Sequence, residues 1–242
     1  MKQLSTLLLG VLLLAVGVAR GQGGAPVGWL KLSTDVALRN RWSLYVEVET
    51  RQGNAQLAGQ QLGRVGLRRH LAPGVSCTTG YVLAANAYGR ADGSKTPEHR
   101  FYQEIALAER TGALRTSHRL RVEERWLRPL PEAAFRFAPR LRYQLRLVVP
   151  LHAGGSLPVG GTYLVAADEL FASLGRRGNR SFLEENRASA GLGYRFSPLA
   201  TIELAYLHQT QSADYAGLGL ARNAVQLSVA LAAPSRPALV RQ

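Results

Sequence analysis

The chain has one cysteine, Cys77. A lone thiol closes no internal disulfide, so a disulfide scaffold is excluded. Cys77 lies in a Thr- and Gly-rich strand pattern with no His or acidic neighbour in its own segment, which predicts an inert thiol. No apolar run after residue 21 is long enough to cross a membrane as a helix, yet hydrophobic residues make up 46% of the chain. Apolar content dispersed in this way is what alternating strands give. Zinc-ligand spacing, a phosphate loop and a calcium loop are all missing, so neither metal nor cofactor is expected. Acidic residues are few, 16 against 30 Lys and Arg, for a net charge of +14. About +12 remains if Lys2 and Arg20 are lost with a leader. A basic chain can bind nucleic acid, but here Arg is spaced along strand ladders interleaved with Glu. No nucleic-acid partner is therefore expected. Arg and Glu in a low-dielectric wall pair in fork geometry, and the excess positive charge attracts anions, lipid phosphates included.

Met1-Lys2-Gln3 supplies a positive start, Leu7 to Val18 an apolar stretch, and Ala19-Arg20-Gly21 small residues flanking a cleavage point. This pattern predicts a secretory signal peptide over residues 1–21, cut near Gly21/Gln22. No Cys follows the apolar stretch, which argues against a lipoprotein anchor. Roughly 220 residues then remain, enough for one all-β domain or barrel.

The mature part alternates with period two, the signature of strands whose side chains point to opposite faces. Arg119, Arg121, Glu123 and Arg125 share one face of Leu114–Arg128. Arg140, Arg142, Gln144 and Arg146 share one face of Arg136–Val149, opposite Leu141, Tyr143, Leu145, Leu147 and Val149. Trp42, Leu44, Val46 and Val48 oppose Tyr45, Glu47, Glu49 and Arg51 on Arg41–Arg51. Glu98, Arg100, Tyr102 and Glu104 oppose Phe101, Ile105 and Leu107 on Glu98–Thr111. Glu185, Arg187, Ser189 and Gly191 share a face of Ser181–Phe196. Further strands are predicted over Trp29–Leu38, Leu62–Leu71 (Arg64, Gly66 and Arg68 together), Val75–Ala87, Thr162–Phe171, Leu199–Gln209 and Ala221–Leu231.

This is an all-β meander with no helix of ordinary length. It predicts a single antiparallel up-and-down transmembrane β-barrel over 22–231, with a loose tail over 232–242. Short connections follow residues 38, 71, 111 and 196, and long ones follow 51, 87 and 211. Outer-membrane barrels have short periplasmic turns and longer outer loops. On that rule the last strand descends to the periplasm. Trp29–Leu38 descends too, which conflicts with an even, closed barrel. Either the barrel starts at Arg41 with about ten strands, or a further short strand precedes Trp29 and there are about twelve.

In order, the charged elements are Glu47-x-Glu49-x-Arg51, Glu98-His99-Arg100, Arg119-x-Arg121-x-Glu123-x-Arg125, Arg140-x-Arg142-Tyr143, Glu169-Leu170-Phe171 and Asn186-Arg187. That succession resembles the bacterial family known as domain of unknown function 2490, over nearly the whole mature chain from Trp29 to about Leu231. The resemblance implies a secreted outer-membrane barrel of a Gram-negative bacterium, with outer-membrane lipids and the barrel-insertion machinery as partners. It supplies neither substrate nor catalytic residues. One departure is that such barrels typically end on an aromatic residue, whereas this chain continues past Leu231 into Pro234 and Pro237.

The expected site is the row of luminal charge: Glu47, Glu49, Arg51, Glu98, Arg100, Glu104, Arg119, Arg121, Glu123, Arg125, Arg140, Arg142, Arg146, Glu185 and Arg187. Paired with one another, these side chains fill a small barrel and leave it structural or nearly plugged. Left in excess, they line an anion-selective, porin-like channel for small anions. A lipid hydrolase or acyltransferase would need Ser, His and an acid at the wall. The candidates are Ser117, Ser189, His99, His118, His208 and Glu104. Ser117 and His118 are adjacent and point to opposite sides of a strand, so they form no dyad with each other. His118 and His208 fall on apolar faces, as interfacial residues do. A soluble lipid-carrying barrel would need a polar outer surface, which these faces do not provide. Asn179-Arg180-Ser181 matches a glycosylation sequon short enough to arise by chance.

Overall fold

The computed structural model describes residues 26–52, 59–87, 95–128, 133–175, 182–212 and 220–233. The expected leader, the 179–181 sequon and residues 234–242 of the tail lie outside them. Twelve strands follow one another: β1 (Val27–Ala37), β2 (Trp42–Arg51), β3 (Gly59–Ala72), β4 (Val75–Ala87), β5 (Thr96–Thr111), β6 (Leu114–Leu127), β7 (Arg136–Phe137), β8 (Arg140–Pro150), β9 (Thr162–Ser173), β10 (Leu183–Ser197), β11 (Ala200–Gln211) and β12 (Leu220–Ala233). Among the described residues the only helical turn is the 3-10 turn Ala153–Gly155.

The strands close into an 11-strand mixed β-barrel. Each long strand pairs antiparallel with the next, and the two-residue β7 only extends the end of β6. The closing seam differs: β1 runs parallel to β12, from Val27 opposite Ala224 to Val36 opposite Ala233. A meander with an odd number of strands brings its first and last strands into the same direction, so only a parallel seam can close it. This resolves the conflict over Trp29–Leu38. That strand belongs to the wall, no strand precedes it among the described residues, and the eleven strands fall between the expected counts of about ten and about twelve.

One end of the barrel carries the short turns. At the first of these, Asn40 and Arg41 both have positive φ (56° and 63°). That is the type I′ geometry whose twist matches a hairpin, so Arg41 belongs to the turn and not to the strand. The β8–β9 connection at this end is longer. It folds towards its neighbours, where Arg110 donates to Gly155 O at 3.4 Å and Arg195 to Leu157 O at 2.7 Å.

Strand alternation divides the side chains cleanly. Large apolar residues project outward and stay exposed, among them Leu30, Leu32, Val48, Leu83, Phe101, Ile105, Leu192 and Leu204. Aromatic residues gather near both rims of this outer face. Trp42, Tyr194 and Phe196 lie at the short-turn end, and Trp126 packs edge-on against Phe101 and tilted against Phe137 at the other, with centroids 5.9 and 5.1 Å apart. A charged residue also stands on the outer wall: Asp168, exposed in mid-strand, accepts a 2.7 Å bond from Asn186.

Inward, bulk is accommodated by glycine. Tyr102 lies over Gly66 and Gly80 on the two preceding strands, and a Cβ on Gly66 would fall 2.2 Å from its Oη. Tyr163 covers Gly193 in the same manner, 2.1 Å from where a Cβ would stand.

Candidate functional site

The buried polar residues of this protein are mostly ions, and they lie on the inner face. Glu123 of β6 is fully buried. It accepts from Arg140 Nε at 3.0 Å and from Arg142 Nη1 at 2.6 Å, both on β8. Arg142 passes on to Glu169 of β9 (Nη2–Oε1 2.7 Å), and Arg119 of β6 reaches the same carboxylate at 2.6 Å. Glu98 of β5 accepts from Arg100 at 3.0 Å and from Arg125 at 2.6 Å. Arg121 pairs with Glu104, Arg64 with Glu47 at 2.5 Å, Arg51 with Glu49 at 2.9 Å, and Arg187 with Glu185. Nearer the short turns, Arg146 of β8 reaches Glu203 of β11 at 2.5 Å, and Arg68 reaches Asp35. Each of these charged side chains thus lies within 4.0 Å of an opposite charge.

Guanidinium groups that would repel one another are kept apart by aromatic rings. The Phe171 ring is flanked by Arg140, Arg142 and Arg187 at 4.6–4.9 Å, and the Trp29 ring by Arg51, Arg187 and Arg222 at 4.6–5.3 Å. A ring face attracts cations on either side, so each aromatic acts as a spacer of opposite local sign. Their positions follow from alternation: Trp29 shares an inner face with Lys31 and Ser33, and Phe171 shares one with Glu169.

Several interior residues were not singled out as site candidates from sequence. Glu169 appeared only as part of a motif, yet it holds both Arg119 and Arg142. Glu203, alone among apolar neighbours, anchors Arg146 and Tyr163. For Glu203 the isolated acid on a period-two strand was the available signal; Glu169 is flanked by Asp168, so the sequence alone did not say which of the two faces inward. Glu184 had none, because a register shift between Leu183 and Glu185 buries two consecutive acids where plain alternation would expose one.

The charged network does not fill the whole interior. A cavity of about 290 Å³ lies between the ion pairs and a wall of small residues that includes Ala167, Ser189, Ala205 and Ser228. A wider cavity of about 700 Å³ adjoins it at the short-turn end, sharing Arg146, Thr201, Glu203 and Ala230.

The residues considered for catalysis are dispersed. Ser117 faces the wider cavity, whereas His118 is on the outer face, bonded to Tyr143 Oη at 2.8 Å. His99 bonds Tyr81 Oη at 2.5 Å on the outer wall. His208 is buried beside Asn223, 2.8 Å away, near the end opposite the short turns. Ser189 lines the smaller cavity and Glu104 is held by Arg121. These candidate Ser, His and acid residues do not form a triad with one another, and among the described residues no group of His, Cys, Asp and Glu could hold a metal ion. Cys77 is a free thiol.

A family described as protein of unknown function (DUF2490) matches residues 27–216. The chain belongs to the DUF2490 family. The matched span runs from the first residue of β1 to the connection before β12, so it covers nearly all of the wall and its ion pairs. An uncharacterized protein of Methylorubrum extorquens is 33% identical over 127 residues, which is 51% of this chain and 52% of that protein. The DUF2490 chain therefore spans about half the length of this curated relative.

Proposed function

We propose that this protein is an integral outer-membrane β-barrel, exported through a cleaved leader, whose interior is held shut by its own Arg–Glu network. Its role on this reading is that of a wall-forming, non-conducting membrane protein. The outer surface supports a membrane setting. It is a belt of exposed Leu, Val, Ile and Phe with aromatic residues towards both rims, which is the profile of a lipid-facing barrel. Exposed apolar area on this scale marks a membrane or partner contact in any protein.

The observation that carries the plugged reading is the relay from Arg140 through Glu123 and Arg142 to Glu169 and Arg119, with ion-pair distances of 2.5–2.7 Å among buried or half-buried groups. Barrels of about eight strands are filled by side chains, and those of 16 or more hold a channel. Eleven strands lie between these limits, and Arg, the longest basic side chain with a forked tip, closes the difference.

Planar-bilayer recording from the purified protein tests this. The expected trace is flat, without steady conductance. A large, stable conductance favouring anions, inverted towards cations by Arg142→Glu, would establish the channel reading in its place. Recovery as a soluble periplasmic monomer without detergent would remove the membrane assignment itself.

A further inference from the structure

At the short-turn mouth three arginines occupy one continuous patch of the inner wall. Arg110 on β5 stands directly opposite Arg115 on β6. Arg115 is opposite Val148 and Arg146 is opposite Ser117, so these two are diagonal neighbours across β6 and β8. Like charges directly opposite on adjacent strands destabilise a sheet. The opposed pairs Arg100–Arg125 and Arg121–Arg142 deeper in the barrel each share a carboxylate, Glu98 and Glu123 respectively. Here the surroundings differ. Arg110 donates only to backbone carbonyls, Gly112 O at 3.0 Å and Gly155 O at 3.4 Å. Arg115 has a buried Nε with no hydrogen-bond partner. Arg146 engages Glu203 through one nitrogen. A buried, unsatisfied donor on a cation costs free energy, and among the described residues no carboxylate contact offsets the Arg115 charge.

All three arginines line the cavity of about 700 Å³ that opens at this end, where they outnumber the two lining carboxylates, Glu109 and Glu203, and the cavity also presents apolar surface from Val148 and Leu157. Away from the mouth the barrel is occupied by the ion-pair network, so the cavity is entered from the short-turn side.

We infer that this mouth is a binding site for an anionic phosphate or carboxylate group, held between Arg110 and Arg115 with Arg146 behind it. The apolar part of the rim suits a group carried on a hydrocarbon chain, whereas the arginines alone would suffice for a free anion. Anion binding is read on folded protein in detergent, so it stands or falls separately from the plugged, membrane-spanning role.

The test uses the full-length protein in a non-ionic detergent and three probes: inorganic phosphate, a lysophospholipid with a phosphate monoester head, and a monoacylglycerol of the same chain length. Native mass spectrometry counts bound molecules, and titration gives affinity. Saturable, one-to-one binding of the lysophospholipid is expected, weakened about tenfold or more by Arg115→Gln as one charge-assisted contact is lost. Arg110→Gln, at the exposed rim, should weaken it less and serves as the second variant if Arg115→Gln does not fold. Competition by inorganic phosphate identifies the site as one for free anions, and lack of competition identifies it as a headgroup site. Equal binding of the uncharged monoacylglycerol overturns the inference. So does the absence of saturable binding of either anion, or an affinity unchanged in both variants when circular dichroism shows them folded.

Discussion

Removal of Glu123 is the sharpest probe of the interior. The carboxylate is fully buried and holds two arginines, with a third, Arg121, 3.8 Å away. In Glu123→Ala, Arg142 keeps Glu169, but Arg140 loses the carboxylate it pairs with and retains the face of Phe171, 4.9 Å away. Breaking a buried pair by deleting one partner costs about 3–5 kcal/mol, because the remaining charge is left without compensation. That corresponds to roughly two to four orders of magnitude in the folding equilibrium. Glu123→Gln keeps an acceptor and should cost less. Glu123→Ala combined with Arg140→Met removes both charges and should recover much of the loss, since replacing a buried pair by apolar groups is often close to neutral. Urea titration of vesicle-reconstituted protein, followed by tryptophan fluorescence, measures all three. A Glu123→Ala midpoint indistinguishable from wild type would mean that water already solvates these arginines, and the closed-interior reasoning would fail with it.

Leu204→Arg, on the exposed outer face, should destabilise by about 2–4 kcal/mol in a bilayer. Leu145→Arg should cost less, because Leu145 is the register partner of the outward-facing Asp168 and the new guanidinium can pair there; equal losses in the two unfolding titrations would count against this placement. Gly66→Ala should cost on the order of 1–3 kcal/mol through overpacking against Tyr102, and part of that loss should return in a Tyr102→Phe background, which removes the atom 2.2 Å from the new methyl. Should thermal unfolding show no such coupling, Tyr102 does not rest on Gly66.

Much of the wall was legible from period two alone. On β2, β5, β6 and β8 apolar residues largely alternate with charged or polar ones, despite breaks such as Gln103 on β5 and Glu124 on β6, so the face of most residues follows directly. Closure was not legible. Whether β1 pairs with β12, and in which direction, depends on the parity of the whole circuit and on no local residue pattern, so an even-number expectation misjudged the status of Trp29–Leu38. The small side chains opposite the charged ladders drew no attention because Ala and Ser carry little pattern, although they are what leaves room for a cavity. The arginine patch at the mouth was hidden for a related reason. Arg110 and Arg115 flank a two-residue turn, and they face each other only because the hairpin register places them so.

The parallel seam has a topological consequence. In a barrel with an even number of antiparallel strands the two chain ends emerge on the same side. Here the polypeptide enters β1 at the end bearing the long connections and leaves β12 at the end bearing the short turns. On the proposed membrane reading, with the short turns in the periplasm, the start of β1 and the end of β12 lie at opposite faces of the bilayer. Probes placed at those two strand ends would then report opposite faces, which an even, antiparallel barrel does not allow.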